Sequence, residues 1–100
     1  TGSLRGDVQA WAEQYLDEMS SEPGRNMLRD VQCSTMPVYC ATIIGGQLQA
    51  ILDRYPDQPK PSVDRLINLV AAPTVFRILF SAAPLEVGEL HQLIEIALSH

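Results

Sequence analysis

Basic residues are scarce in this chain: seven lysines and arginines stand against twelve aspartates and glutamates, a net charge of -5. A surface that grips a phosphate backbone needs clustered lysine and arginine, so direct nucleic-acid binding by these residues is excluded. Histidine is limited to His91 and His100, and no serine, cysteine or lysine has a base set beside it in the way nucleophilic catalysis requires. His91 lies four residues before Glu95, the spacing of a surface ion pair on a helix or of a hydrogen bond at an interface. Cys33 and Cys40 are the only cysteines and have no histidine partner that would complete a zinc site. No signal peptide is visible at the amino end, so the expected state is two reduced thiols in a cytoplasmic protein, packed as small hydrophobes. A disulfide between them is the alternative. Gly45-Gly46 lacks the lysine and serine or threonine of a phosphate loop. No cofactor, no metal and no enzymatic activity are indicated. Alternating apolar and polar runs long enough to demand a strand are missing as well, although Val75 to Phe80 has strand-like composition, and there are no internal repeats.

What the chain has instead is Leu66 to Ala83, LINLVAAPTVFRILFSAA, apolar around nearly the whole circumference of a helix. A helix on the surface of a small domain normally shows one apolar stripe, and one that is apolar all round has to be covered on every side. A single domain of 100 residues has few elements with which to do so, and a second copy of the chain would supply the missing cover, giving a homodimer. Asn68, Pro73 and Arg77 within the stretch, with no basic flank or aromatic belt, argue against a membrane span.

Helical spacing organises the rest. Leu4 to Ser20 carries Leu4, Val8, Trp11, Ala12, Tyr15, Leu16 and Met19 at intervals of three and four, behind a capping Ser3, with Gln14 and Glu18 assigned to the opposite, polar face. Pro23 to Gln32 is a second helix with Met27, Leu28 and Val31 on its buried side. Ser34 to Pro37 reads as a cap with proline in the first turn of a third helix, Pro37 to Tyr55. Gly45-Gly46 weakens that helix by roughly 1 kcal/mol per glycine, which implies either a close crossing by another helix or a bend that leaves room for a ligand. After a proline-rich loop, Ser62 and Asp64 open a fourth helix from Val63 to Ser81, with a kink or break near Leu69 to Ala72 because Pro73 donates no amide bond. A fifth runs from Glu86 to Ser99 with Val87, Leu90, Leu93, Ile94, Ala97 and Leu98 buried. The fold class is all-α, a five-helix bundle.

Trp11, Tyr15, Met19, Met27, Met36, Tyr39, Ile43 and Phe76 mix aromatics with flexible thioethers, the composition of an adaptable apolar cavity, and equally that of an ordinary core. Arg77 is the one charge expected inside, to answer a ligand carboxylate or to pair across a dimer.

In T1-G-S-L-R-G-D7, G24-R-N-M-L-R29, A72-P-T-V-F-R-I-L-F80, A83-P-L-E86 and L90-H-Q-L-I-E-I-A-L98 the chain resembles the carboxy-terminal regulatory domain of tetracycline-repressor-type (TetR) transcription regulators. The resemblance covers nearly the whole chain and rests on the order and spacing of motifs that are individually weak. It implies that the last two helices pair with their copies in a four-helix dimer interface through Leu66, Val70, Thr74, Arg77, Leu79, Leu90, His91, Ile94 and Leu98. It also implies that the earlier helices enclose a pocket for a small apolar effector that changes the DNA affinity of a repressor. DNA would be bound only through an amino-terminal helix-turn-helix domain absent from this sequence, so that Thr1 falls near a domain boundary. The proline-rich loop and Gly45-Gly46 depart from the family pattern. A dimerisation module that senses nothing is the rival reading.

Overall fold

Five helices follow one another in the computed structural model, which describes residues 2–33, 37–80 and 85–99, and only the backbone of residue 28 and of residues 31–33 and 37–41. Helix α1 is Leu4–Ser20, α2 is Glu22–Cys33 and α3 is Pro37–Asp53. Helix α4 is composite, an α turn Val63–Leu66, a π segment Ile67–Ala71 and an α segment Ala72–Phe80; α5 is Val87–Leu98. Among the described residues there is no strand.

The starts of these helices follow from their caps. Ser3 adopts an extended backbone and its hydroxyl accepts from the Gly6 amide at 3.0 Å, while Ser62 does the same for Arg65 at 3.2 Å. Each satisfies an amide that the first helical turn leaves without a backbone partner. Glu86 and Glu89 form a reciprocal capping box at α5. The expected cap at Ser34, Thr35 and Met36 lies outside the described residues, as does the connection Ser81 to Pro84.

Pro73 acts as expected, but by a gentler route than a break. It offers no N–H to the Leu69 carbonyl and its ring crowds that oxygen. The helix widens beforehand into the π segment, in which the Ala72 amide reaches back to the Ile67 carbonyl. Thr74 is buried, and its hydroxyl donates to the Val70 carbonyl at 2.8 Å, using an acceptor in the widened turn.

Helices α1, α3, α4 and α5 share one core. Val8 and Ala12 of α1, Leu48 and Leu52 of α3, Leu66, Val70 and Ile78 of α4, and Leu90, Ile94 and Ala97 of α5 form its centre, and Leu85 closes one end. Arg65 fastens the α4 start to the α5 end: its guanidinium donates to the carbonyls of Ala97 (2.8 Å), Ile96 (3.0 Å) and Ser99 (3.1 Å). Those carbonyls have no helical partner and lie at the negative end of the helix dipole.

The glycine expected to mark a close crossing is not in α3. A methyl group on Gly45 would make only ordinary contact with Ile67, and one on Gly46 would meet nothing within 4 Å among the described residues. The tight point is Gly24, where a Cβ would collide with the Glu18 carbonyl and sit 2.6 Å from the Met19 Cα. Helix α2 therefore turns directly across the end of α1 without room for a side chain.

Candidate functional site

Positions 11, 14, 15 and 18 fall within a narrow arc of a helix, and on α1 they form one wall of a groove facing α3. The rings of Trp11 and Tyr15 stack with centroids 5.2 Å apart and planes 19° from parallel. The indole N–H of Trp11 donates to the Gln47 Oε1 at 2.9 Å across the groove, and the Gln14 amide donates to Glu18 Oε1 at 3.1 Å along its wall. Trp11, Gln14, Tyr15, Glu18 and Gln47 enclose about 160 Å³. Tyr15 is buried, while Gln14, Glu18 and Gln47 are exposed, so the groove has an aromatic floor and a wet, acidic rim.

Of the eight residues expected to line a cavity, the described groove brings together two, Trp11 and Tyr15. Met19 packs at the edge of the core. Met27 and Ile43 are exposed, and Phe76 faces solvent on α4; none of the three can line an interior pocket in this arrangement. Met36 lies outside the described residues, as does the side chain of Tyr39. The polar members Gln14, Glu18 and Gln47 were missed. For the two on α1 the helical arc through Trp11 and Tyr15 was the available signal, whereas Gln47 depends on how α3 packs.

A second concavity of about 230 Å³ lies where Ser3, Leu4 and Arg5 meet Gln58, Pro59, Pro61 and Leu98. Arg5 at its edge is held by Glu95, with Nε 2.6 Å from Oε1 and Nη2 3.1 Å from Oε2. Below the Trp11–Gln47 bond, a second polar link joins α1 to the end of α3. Asp7 is only 7% exposed, and its Oδ2 accepts from the Tyr55 hydroxyl at 2.5 Å with Arg54 Nη1 at 3.4 Å. The hydrogen bond to Asp7 raises the Tyr55 pKa above the ordinary phenol value; burial and the carboxylate charge add to the rise, and Arg54 opposes it.

The surface expected to pair two copies is only partly available. Leu66, Val70, Thr74, Leu90 and Ile94 are buried within the chain's own core, so they lack surface to give to a partner and can only brace one from behind. Arg77 meets Glu89 of its own chain at 3.3 Å, and His91 turns to Glu13 on α1 at 3.3 Å rather than to Glu95. Leu79 and Leu98 are half-buried. What faces outward is a different set: Phe76 (60% exposed), Phe80 (59%), Val87 (48%) and Ile96 (53%). The two phenylalanine rings lie 5.1 Å apart.

No helix among the described residues is long and apolar enough to cross a membrane, and none of their histidine, cysteine, aspartate and glutamate side chains gather in threes to hold a metal ion. Comparison with family models, curated proteins and solved structures finds no match to this chain.

Proposed function

We propose that this chain is the dimerising and effector-sensing half of a TetR-type transcription regulator, working by binding and not by chemistry. The observation that carries the dimer is the outward apolar load of the last two helices. Of the six large hydrophobic residues exposed on the described chain, Phe76, Phe80, Val87 and Ile96 all belong to them. Phe76 and Phe80, with rings 5.1 Å apart, form one continuous exposed patch of roughly 240 Å², while Val87 and Ile96, nine residues apart, lie on opposite sides of α5 and add apolar surface apart from it. A two-fold axis through this face lets one patch serve as its own complement. The sensing role rests on the Trp11–Tyr15 groove: a ligand that fits one spacing of α1 and α3 better than another shifts the population between them, by no more than its differential affinity. DNA would be reached through a separate amino-terminal domain.

Sedimentation equilibrium tests the first half. A dimer is expected, and a monomer at about 100 μM, where even a weak specific pair associates, would overturn it. A second reading, a dimerisation module without a ligand, is favoured by the groove's size, since about 160 Å³ is below the roughly 300–1,000 Å³ of most small-molecule sites. Operator binding by the full-length regulator separates the two readings: a compound that seats in the groove and changes DNA affinity supports sensing, and a groove that binds compounds without changing DNA affinity leaves the structural module.

A further inference from the structure

We propose that the groove between α1 and α3 selects a small planar aromatic cation, in place of the small apolar effector expected from the sequence. The inference rests on the effector-sensing reading above and names its ligand class. Among the described residues that line the groove, Glu18 is the one carboxylate, Gln14 and Gln47 are neutral, and neither lysine nor arginine contributes. An anion would meet Glu18 with nothing to neutralise it. A purely apolar ligand would strip water from Glu18 and both amides without replacing the lost hydrogen bonds. A cation instead gains the carboxylate together with the aromatic surface of the stacked pair, and the chain's net charge of -5 favours its approach.

Shape narrows the class further. Trp11 and Tyr15 stack nearly parallel, each covering a face of the other, and the indole is pinned at its N–H by Gln47, so the floor is a rigid aromatic block against which a flat ring packs. The Gln14 amide holds Glu18 Oε1 one turn further along the same wall, placing the carboxylate at the rim where a ring-borne charge would lie. An enclosed cavity of roughly 150 Å³ accepts a benzene-sized molecule. A groove of about 160 Å³ that opens to solvent therefore takes one or two fused rings.

The chain has a single tryptophan, so its indole N–H gives one side-chain signal in a nitrogen–proton correlation spectrum, and that proton sits in the proposed site. Titration at pH 7.5 with 1-methylquinolinium, neutral quinoline and anionic 2-naphthoate probes charge at nearly constant shape. The methylquinolinium ion is expected to shift the Trp11 indole signal saturably, about tenfold more tightly than quinoline, with no saturable shift from naphthoate. Glu18→Gln, at an exposed position, should weaken the cation about tenfold and leave quinoline unchanged. Equal affinity for quinoline and the cation, indifference of the cation to Glu18→Gln, or no movement of the indole signal would each overturn the proposal. Binding of quinoline or naphthoate in the cation's place rejects the charge class while leaving an effector groove. The sedimentation of the same samples reports on the dimer independently.

Discussion

Phe76→Ala puts the dimer face to its sharpest test, because Phe76 does nothing for its own chain's core. A phenylalanine side chain presents about 200 Å², and at 60% exposure roughly 120 Å² of it is available to a partner. At about 25 cal/mol per Å² its full burial is worth about 3 kcal/mol, of which an alanine methyl retains a minor part. The loss is then about 2 kcal/mol per copy and, since a two-fold interface uses each residue twice, about 4 kcal/mol per dimer, or roughly a thousandfold in Kd. Monomer stability should change by less than about 0.5 kcal/mol, as for other surface substitutions. Ile94→Ala is the control in the opposite sense: Ile94 is fully buried, so its truncation should cost about 2–5 kcal/mol of folding stability without altering the outward face. Sedimentation equilibrium gives the Kd, and urea unfolding at concentrations where each protein is monomeric gives the stability. A dimer constant unmoved by Phe76→Ala would refute the assignment of this face.

Gly24→Ala should destabilise the fold by about 1–3 kcal/mol, because the new methyl has to displace the backbone at the end of α1, whereas Gly46→Ala should stabilise it by about 0.5–1 kcal/mol through helix propensity; urea midpoints of opposite sign check the pair. Arg65→Ala removes the charged donor from three terminal carbonyls and should cost about 1–2 kcal/mol, with faster amide hydrogen exchange confined first to the end of α5. Tyr55 makes a pH prediction: its folded pKa is raised above the unfolded value, so its link to Asp7 stabilises the fold fully below pH 10 and is lost as pH climbs through the folded pKa. Tyrosinate absorbance should show Tyr55 titrating later than free tyrosine, and Tyr55→Phe should remove that late component together with its share of the alkaline loss of stability.

Helix boundaries were legible wherever a side chain settles them locally. Ser3, Ser62 and Pro73 each act on backbone groups within a turn of themselves, so the start of α1, the start of α4 and the disturbance before Ala72 could be read from spacing alone. The partners of charged residues were not legible in this way. Glu95 lies one turn from His91, yet it is taken by Arg5 of α1, and His91 meets Glu13 of the same helix, because the face of α5 turned toward α1 is fixed by how Leu90, Ile94 and Ala97 enter the core. The groove was half legible for the same reason. Trp11 and Tyr15 announced an aromatic patch, but grouping residues as apolar or polar set Gln14 and Glu18 on the far side of α1, when their angular positions place them beside it.

The apolar stretch from Leu66 onward shows how an all-round hydrophobic helix divides its load. One side of α4 carries Leu66, Val70, Thr74 and Ile78, spaced by fours, and the chain's own helices cover it completely. A solitary copy therefore shelters more of this segment than its composition suggests, and the case for a partner cannot rest on the segment as a whole. It rests on the remainder. Phe76 and Phe80, also four apart, stand on a different side and stay in water, although the core has already been closed without them. Two adjacent exposed phenylalanines add nothing to a finished monomer and raise its tendency to associate. Their placement on the helix that begins under the Arg65 clamp gives the outward face a rigid backing, and a rigid patch loses less entropy on pairing than a mobile one. The physical argument for a dimer is thus narrower than the sequence implied, and it hangs on Phe80 together with Phe76, which the sequence had assigned to a cavity.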